Sequence, residues 1–122
     1  MRYVRIYADA DGTSRVEDLE LKGTMTHIVD GLPPLSVSGP FACSEISFVE
    51  LQPNEPVGWE AHVAPKRQWV IVLSGRVVIT VSDGHSREVG PGGVMLLEDT
   101  SGSGHLSTPL TLDFQCAMIP LA

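Results

Sequence analysis

Two histidines, one amide and one carboxylate stand at the edges of short apolar runs, and their types suit small-molecule chemistry. His62 opens the segment His62-Val-Ala-Pro-Lys-Arg-Gln68-Trp-Val-Ile-Val-Leu-Ser-Gly75, which sets Gln68 at the head of an apolar strand closed by glycine. His105 follows a second apolar run, Val94 to Leu97, and a turn rich in glycine and serine. Two histidines on neighbouring strands of a small barrel would converge on one site. As catalytic groups, His62 and His105 would move protons, since imidazole titrates near neutrality. Gln68 would orient a substrate, with Val70 and Val72 beside it on the pocket parity of the strand.

The same residues read as metal ligands give a second picture. His62 and His105 would supply neutral imidazoles to a divalent transition metal such as zinc, iron, manganese or nickel. Gln68 would add a carbonyl oxygen, which brings no charge to offset a dication. Alternation through Glu60-Ala-His62 points Glu60 the same way as His62, making it a substitute carboxylate. The rival is a metal-free pocket in which the imidazoles hydrogen-bond an organic ligand or shuttle protons. Ordinary structural histidines are the plain alternative to both.

Other residues carry weaker signals. His85 follows an Asp-Gly turn and reads as solvent-exposed, while His27 lies in a Pro/Gly-rich stretch that would cross the barrel mouth. Glu98 and Asp99 read as solvated turn acids, although a carboxylate there would orient the His105 imidazole. Cys116 lies on an alternating strand and would face the pocket, with nothing nearby in sequence to activate a thiolate. No Ser-His-Asp order, phosphate-binding glycine loop or Cys-x-x-Cys pair occurs.

The elements that must position these groups are strands. Nine prolines and twelve glycines punctuate short runs rich in Val, Ile, Leu and Thr, at sandwich or barrel spacing. Expected strands are Arg2 to Ala8, Cys43 to Gln52, Gln68 to Leu73, Arg76 to Ser82, His85 to Val89, Val94 to Leu97 and Leu110 to Met118, with Ser14 to Leu21 a strand or a loose extended arm. Residues 22–40 read mainly as a loop crossing the barrel, and residues 53–56 as a Pro-bounded turn. Asp83-Gly84 predicts a two-residue type I′ hairpin turn. On Leu110 to Met118, the residues Leu110, Leu112, Phe114, Cys116 and Met118 share one face. Trp59 and Trp69 read as packing residues. Trp69, Ile71 and Leu73 form an outer face too apolar to leave wet, which predicts a homodimer.

Composition narrows the function classes. With 122 residues the chain is expected to form one domain with a genuine core. A net charge of −7 with only eight Lys and Arg excludes a nucleic-acid partner, since no basic patch could displace counterions. No run reaches the ~18 apolar residues of a membrane helix. Cys43 and Cys116 read as two reduced thiols, and the expected location is cytoplasmic.

The motifs together resemble the cupins, small all-β double-stranded β-helix or jelly-roll barrels. The resemblance covers residues 41–118, with residues 1–40 as N-terminal strands and crossing loop. In the first cupin motif His62 takes the first histidine position, Ala64 the second, Gln68 the glutamate and Gly75 the closing glycine. In the second, Pro91-Gly92, Val94 to Leu97 and His105 fit, with a longer turn at Thr100-Ser-Gly-Ser-Gly104 and Pro109 in place of asparagine. The stretches Leu-Ser-Gly, Ser-Asp-Gly and Glu-Asp-Thr look like those of small bacterial single-domain cupins. Metal-holding members use three histidines and a carboxylate, so Ala64 and Gln68 are departures. The resemblance implies a small-molecule-binding barrel. Its expected activity is an isomerase, cyclase or lyase step, metal-assisted or acid–base. The alternative is a non-catalytic metabolite-binding or sensing module without metal. Dioxygenase chemistry is disfavoured by the incomplete ligand set.

Overall fold

A computed structural model describes residues 1–52 and 60–122. Among them the regular elements are all strands, as the period-2 patterning and the density of turn residues require. They run β1 (Arg2–Ala8), β2 (Ser14–Glu20), β3 (Thr24–Thr26), β4 (Leu35–Val37), β5 (Ser47–Glu50), β6 (Gln68–Ser74), β7 (Val77–Val81), β8 (Ser86–Val89), β9 (Val94–Leu97), β10 (His105–Pro109) and β11 (Gln115–Pro120). No helix among the described residues is long and apolar enough to cross a membrane.

Three sheets form. The largest has six strands in the order β2-β1-β9-β6-β11-β5, the second runs β10-β7-β8, and β3 pairs with β4 alone. All pairings are antiparallel except β1 with β9, where Val4 aligns with Met95. The two larger sheets pack across one core. β7 alternates buried Val77, Ile79 and Val81 with half-buried Val78 and Thr80, and its inner row meets Ile6, Val70, Val72, Met95 and Leu97 of the large sheet. Burying one such Val or Ile side chain stabilises the fold by roughly 1.5–3 kcal/mol. Neither sheet closes on itself, so the architecture has the two-layer character of a sandwich rather than a continuous barrel wall.

Several local expectations change. Residues 22–40 hold the β3–β4 hairpin, with Thr24 opposite Val37, because alternating residues on either side of Gly31 can pair once the chain turns there. The strand expected over 43–52 shortens to β5, and Cys43 makes only an isolated bridge to Leu121. The β7–β8 turn is not type I′. Asp83 keeps a negative φ while Gly84 takes φ 96°, and the Gly84 N–H donates to the Val81 carbonyl at 3.1 Å. Ser82-Asp83-Gly84 is therefore a three-residue loop in which a right-handed turn ends in a left-handed glycine. The alternation expected from Leu110 fails at its start. Residues 110–114 turn between β10 and β11, leaving Leu110 and Leu112 exposed while Phe114 and Cys116 are buried. The turn expected over residues 53–56, and Trp59, lie outside the described residues.

On the outer face Trp69 is covered from within the chain. Its ring meets Tyr3 at 5.3 Å and Phe41 at 5.2 Å, both edge-on. Leu73 and Phe48 on the same sheet stay exposed. Both thiols are free, Cys43 exposed and Cys116 buried, and burial pushes the Cys116 thiol pKa up.

Candidate ligand site between the sheets

Two backbone hydrogen bonds bring the distant histidines together. The His62 N–H donates to the His105 carbonyl and the His105 N–H donates to the His62 carbonyl, both at 3.0 Å. This isolated antiparallel bridge sets the two rings on one side, with centroids 5.2 Å apart. Gly104 makes the approach possible. It holds φ +73°, and a Cβ there would lie 2.3 Å from the His62 carbonyl carbon. Ser14 anchors the same turn by donating from Oγ to the Gly104 carbonyl at 2.6 Å.

The two imidazoles differ in setting. His105 is 3 % exposed, and its Nδ1 lies 2.5 Å from Oδ2 of Asp99, which is fully buried. A carboxylate accepts, so Nδ1–H is the donor and Nε2 is left as the free acceptor. Asp99 therefore departs from the solvated turn acid expected of it. Its own carbonyl accepts the Ala64 N–H at 3.0 Å, which draws the residue inward against the 62–64 segment. His62 is exposed, with Nδ1 2.9 Å from the Val63 carbonyl.

Neighbouring Glu98 does face outward, but in a fork of cations. Arg5 Nε donates to Oε1 at 2.6 Å and Arg67 Nε to Oε2 at 2.5 Å. Burial raises the Glu98 carboxyl pKa, yet these bonds and the two positive charges more than offset it and leave it below the usual glutamate value.

Behind the histidines lies a cavity of about 160 Å³ between the sheets. His62, Gln68, His105 and Ser107 supply its polar lining, and Val70, Ile79, Met95, Leu97, Phe114 and Met118 much of its apolar wall. Gln68 is 3 % exposed, and its buried Nε2 has no hydrogen-bond partner among the described residues. Cys116 also lines the cavity, as its strand parity suggested.

Of the residues expected at the site, His62, Gln68, Val70 and His105 come together around this space. Val72 does not line it. It shares the inner face of β6 but sits further along the strand, packed in the core at 1 % exposure. Glu60 is exposed and off the cavity, because residues 60–62 do not form a regular strand and the expected alternation does not apply. His27 is exposed on the β3–β4 hairpin, its Nδ1 3.0 Å from the Leu32 carbonyl, and His85 is exposed beside Asp83. Ser107 is not singled out by sequence reasoning, and Asp99 is weighed with Glu98 as an orienting carboxylate but read as a solvated turn acid. Asp99 carried a usable signal, a carboxylate facing a histidine across a short glycine-rich turn. Ser107 carried one too, since it shares strand parity with His105.

A metal ion asks for more donors than the described residues of this cavity offer. No group of three or more His, Cys, Asp and Glu side chains that could hold one occurs among the described residues. Ala64, buried at 1 % beside this segment, brings no donor. The two imidazoles, the Gln68 amide and the Cys116 thiol line the cavity, but among the described residues they are not grouped as the donors of one ion, so this set does not fit a dication. Comparison with known proteins adds no assignment: no family model matches the chain, and no curated protein is significantly similar to it.

Proposed function

We propose that this chain is a small-molecule-binding protein of the cupin jelly-roll type, in which His105 acts as an acid–base group on a ligand held between the sheets. The buried His105–Asp99 pair at the wall of the cavity carries the reading. A carboxylate on Nδ1 fixes the tautomer, so that Nε2 can take a proton from a bound molecule, and stabilises the imidazolium that results. His62 stands at the exposed side of the same space and would relay the proton to water. Reactions that need only such a transfer are isomerisation, cyclisation or a lyase step, and no metal is required for them. A homodimer formed through the exposed apolar surface remains part of the proposal.

The second reading is a non-catalytic metabolite-binding or sensing module. The mostly apolar wall favours it, since such a surface holds a ligand without activating it.

A ligand screen followed by ¹⁵N spectra of the histidine rings tests both readings. A bound compound must perturb the His105 Nε2 resonance. Under the enzyme reading His105→Gln abolishes turnover and retains binding; under the sensing reading it only weakens affinity. Compounds that bind without touching His105 would overturn the site.

A further inference from the structure

We infer that two copies of this chain pair about a two-fold axis, the tip of each β3–β4 hairpin seated in the apolar groove at the base of the other's. The inference rests on the homodimer of the reading above and goes on to name the surfaces that meet.

The hairpin needs a partner. β3 and β4 pair only with each other, and residues 22–36 are exposed without a break, so the described part of the chain covers neither face. Two strands alone are marginally stable in water at best. The tip is the turn Val29-Asp30-Gly31-Leu32, closed by the Leu32 N–H donating to the Val29 carbonyl at 3.2 Å. Ile28, Val29 and Leu32 stand around it, each more than half exposed.

The groove suits that tip. It holds about 320 Å³, and Met1, Leu21, Phe41, Trp69, Ile71 and Ile119 form most of its wall. Leu21 and Phe41 flank the hairpin along the chain, so the groove lies at the hairpin's base. A two-fold pairing then lays the hairpins side by side and antiparallel, each tip against the other's base, and every contact occurs twice.

Charge selects a second copy as the occupant. The chain has a net charge of −7, yet residues 21–41 hold only Lys22 and Asp30 as charged side chains. Two acidic copies repel least where charge is balanced. The two charges also complement each other in this pairing. Asp30 sits at the tip and Lys22 at the base beside Leu21, so Asp30 of each copy meets Lys22 of the other. Neither makes an ion pair among the described residues.

Sedimentation of the native chain, Asp30→Lys, Lys22→Asp and the double exchange reads the arrangement. The native chain is expected to dimerise. Each single reversal is expected to weaken the dimer about tenfold, since it sets like charges together at two symmetric contacts. The double exchange is expected to restore it. Asp30→Lys lowers the net charge, so overall repulsion would not explain weakening there. Cys43 is free, exposed and lines the groove, so Ile28→Cys is expected to give a covalent dimer on oxidation that is lost when Cys43→Ser is added. A native dimer indifferent to the reversals, or no restoration by the exchange, would overturn the arrangement and leave a homodimer through another face. So would a cross-link that fails to form or survives Cys43→Ser. A native chain that stays monomeric at high concentration would remove the homodimer itself and leave the hairpin to a different protein. The substituted positions are all exposed, which keeps the fold out of the comparison.

Discussion

His105 and Asp99 face one another across 2.5 Å with 3 % and 0 % of their side chains exposed, and Asp99 Oδ1 has no partner among the described residues. An isolated buried carboxylate is costly, so this one persists because the imidazole N–H satisfies half of it. Asp99→Asn keeps the shape and removes the charge. The expected loss is about 2 kcal/mol of stability, the range for hydrogen bonds to charged groups. Denaturant unfolding measures it. The ring nitrogens of His105 should also show a changed tautomer balance, which a merely structural Asp99 would leave untouched.

Gly104 decides whether the two histidines meet. A methyl group there collides with the His62 backbone in a conformation that non-glycine residues rarely adopt. Gly104→Ala should cost about 2 kcal/mol or more and abolish the cross-peaks between the His62 and His105 rings. A variant with native stability and intact cross-peaks would show that the bridge does not depend on this approach.

Glu98 links pH to the same turn. Its folded carboxyl lies below the value near 4.5 that it has when unfolded. Its contribution is therefore present above pH 4.5 and is lost as pH falls through the lower folded value. Glu98→Gln should destabilise at neutral pH and flatten the acid limb of the stability curve. An unchanged acid limb in this variant would assign the acid sensitivity to other carboxylates.

Metal content checks the donor argument. Protein purified without chelators should hold well below one equivalent of zinc, iron, manganese or nickel. Close to one equivalent, lost in His105→Ala, would restore the metal reading and place the missing donor outside the described residues.

The β3–β4 hairpin carries exposed Met25, Ile28, Val29, Leu32 and Leu35, and its main contacts are internal. Such a surface favours self-association. Sedimentation should show a dimer, and replacing Met25 and Leu35 together by serine should shift it to monomer with the fold retained. A native protein that stays monomeric at high concentration would remove the homodimer from the proposal.

Strand parity was legible in the residues themselves, because it follows from local backbone geometry. The alternation of β7, the inner placement of Gln68 and Val70, and the hairpin at Asp83-Gly84 all follow from it. The meeting of His62 with His105, suggested by motif order, does not follow from parity: an isolated long-range bridge makes it. What parity cannot supply is depth along a strand or the path of a turn. Val72 shares its face with Gln68 yet packs beyond the cavity. Glu60 loses its expected direction because its segment never becomes a strand. Asp99, two residues past the end of β9 at a turn that would suggest solvent, instead lies buried, its carbonyl taken by the Ala64 N–H. Long-range contacts decide these outcomes, since only the packed sheets establish which backbone groups are left to be satisfied and which side chains can fill the space beside them.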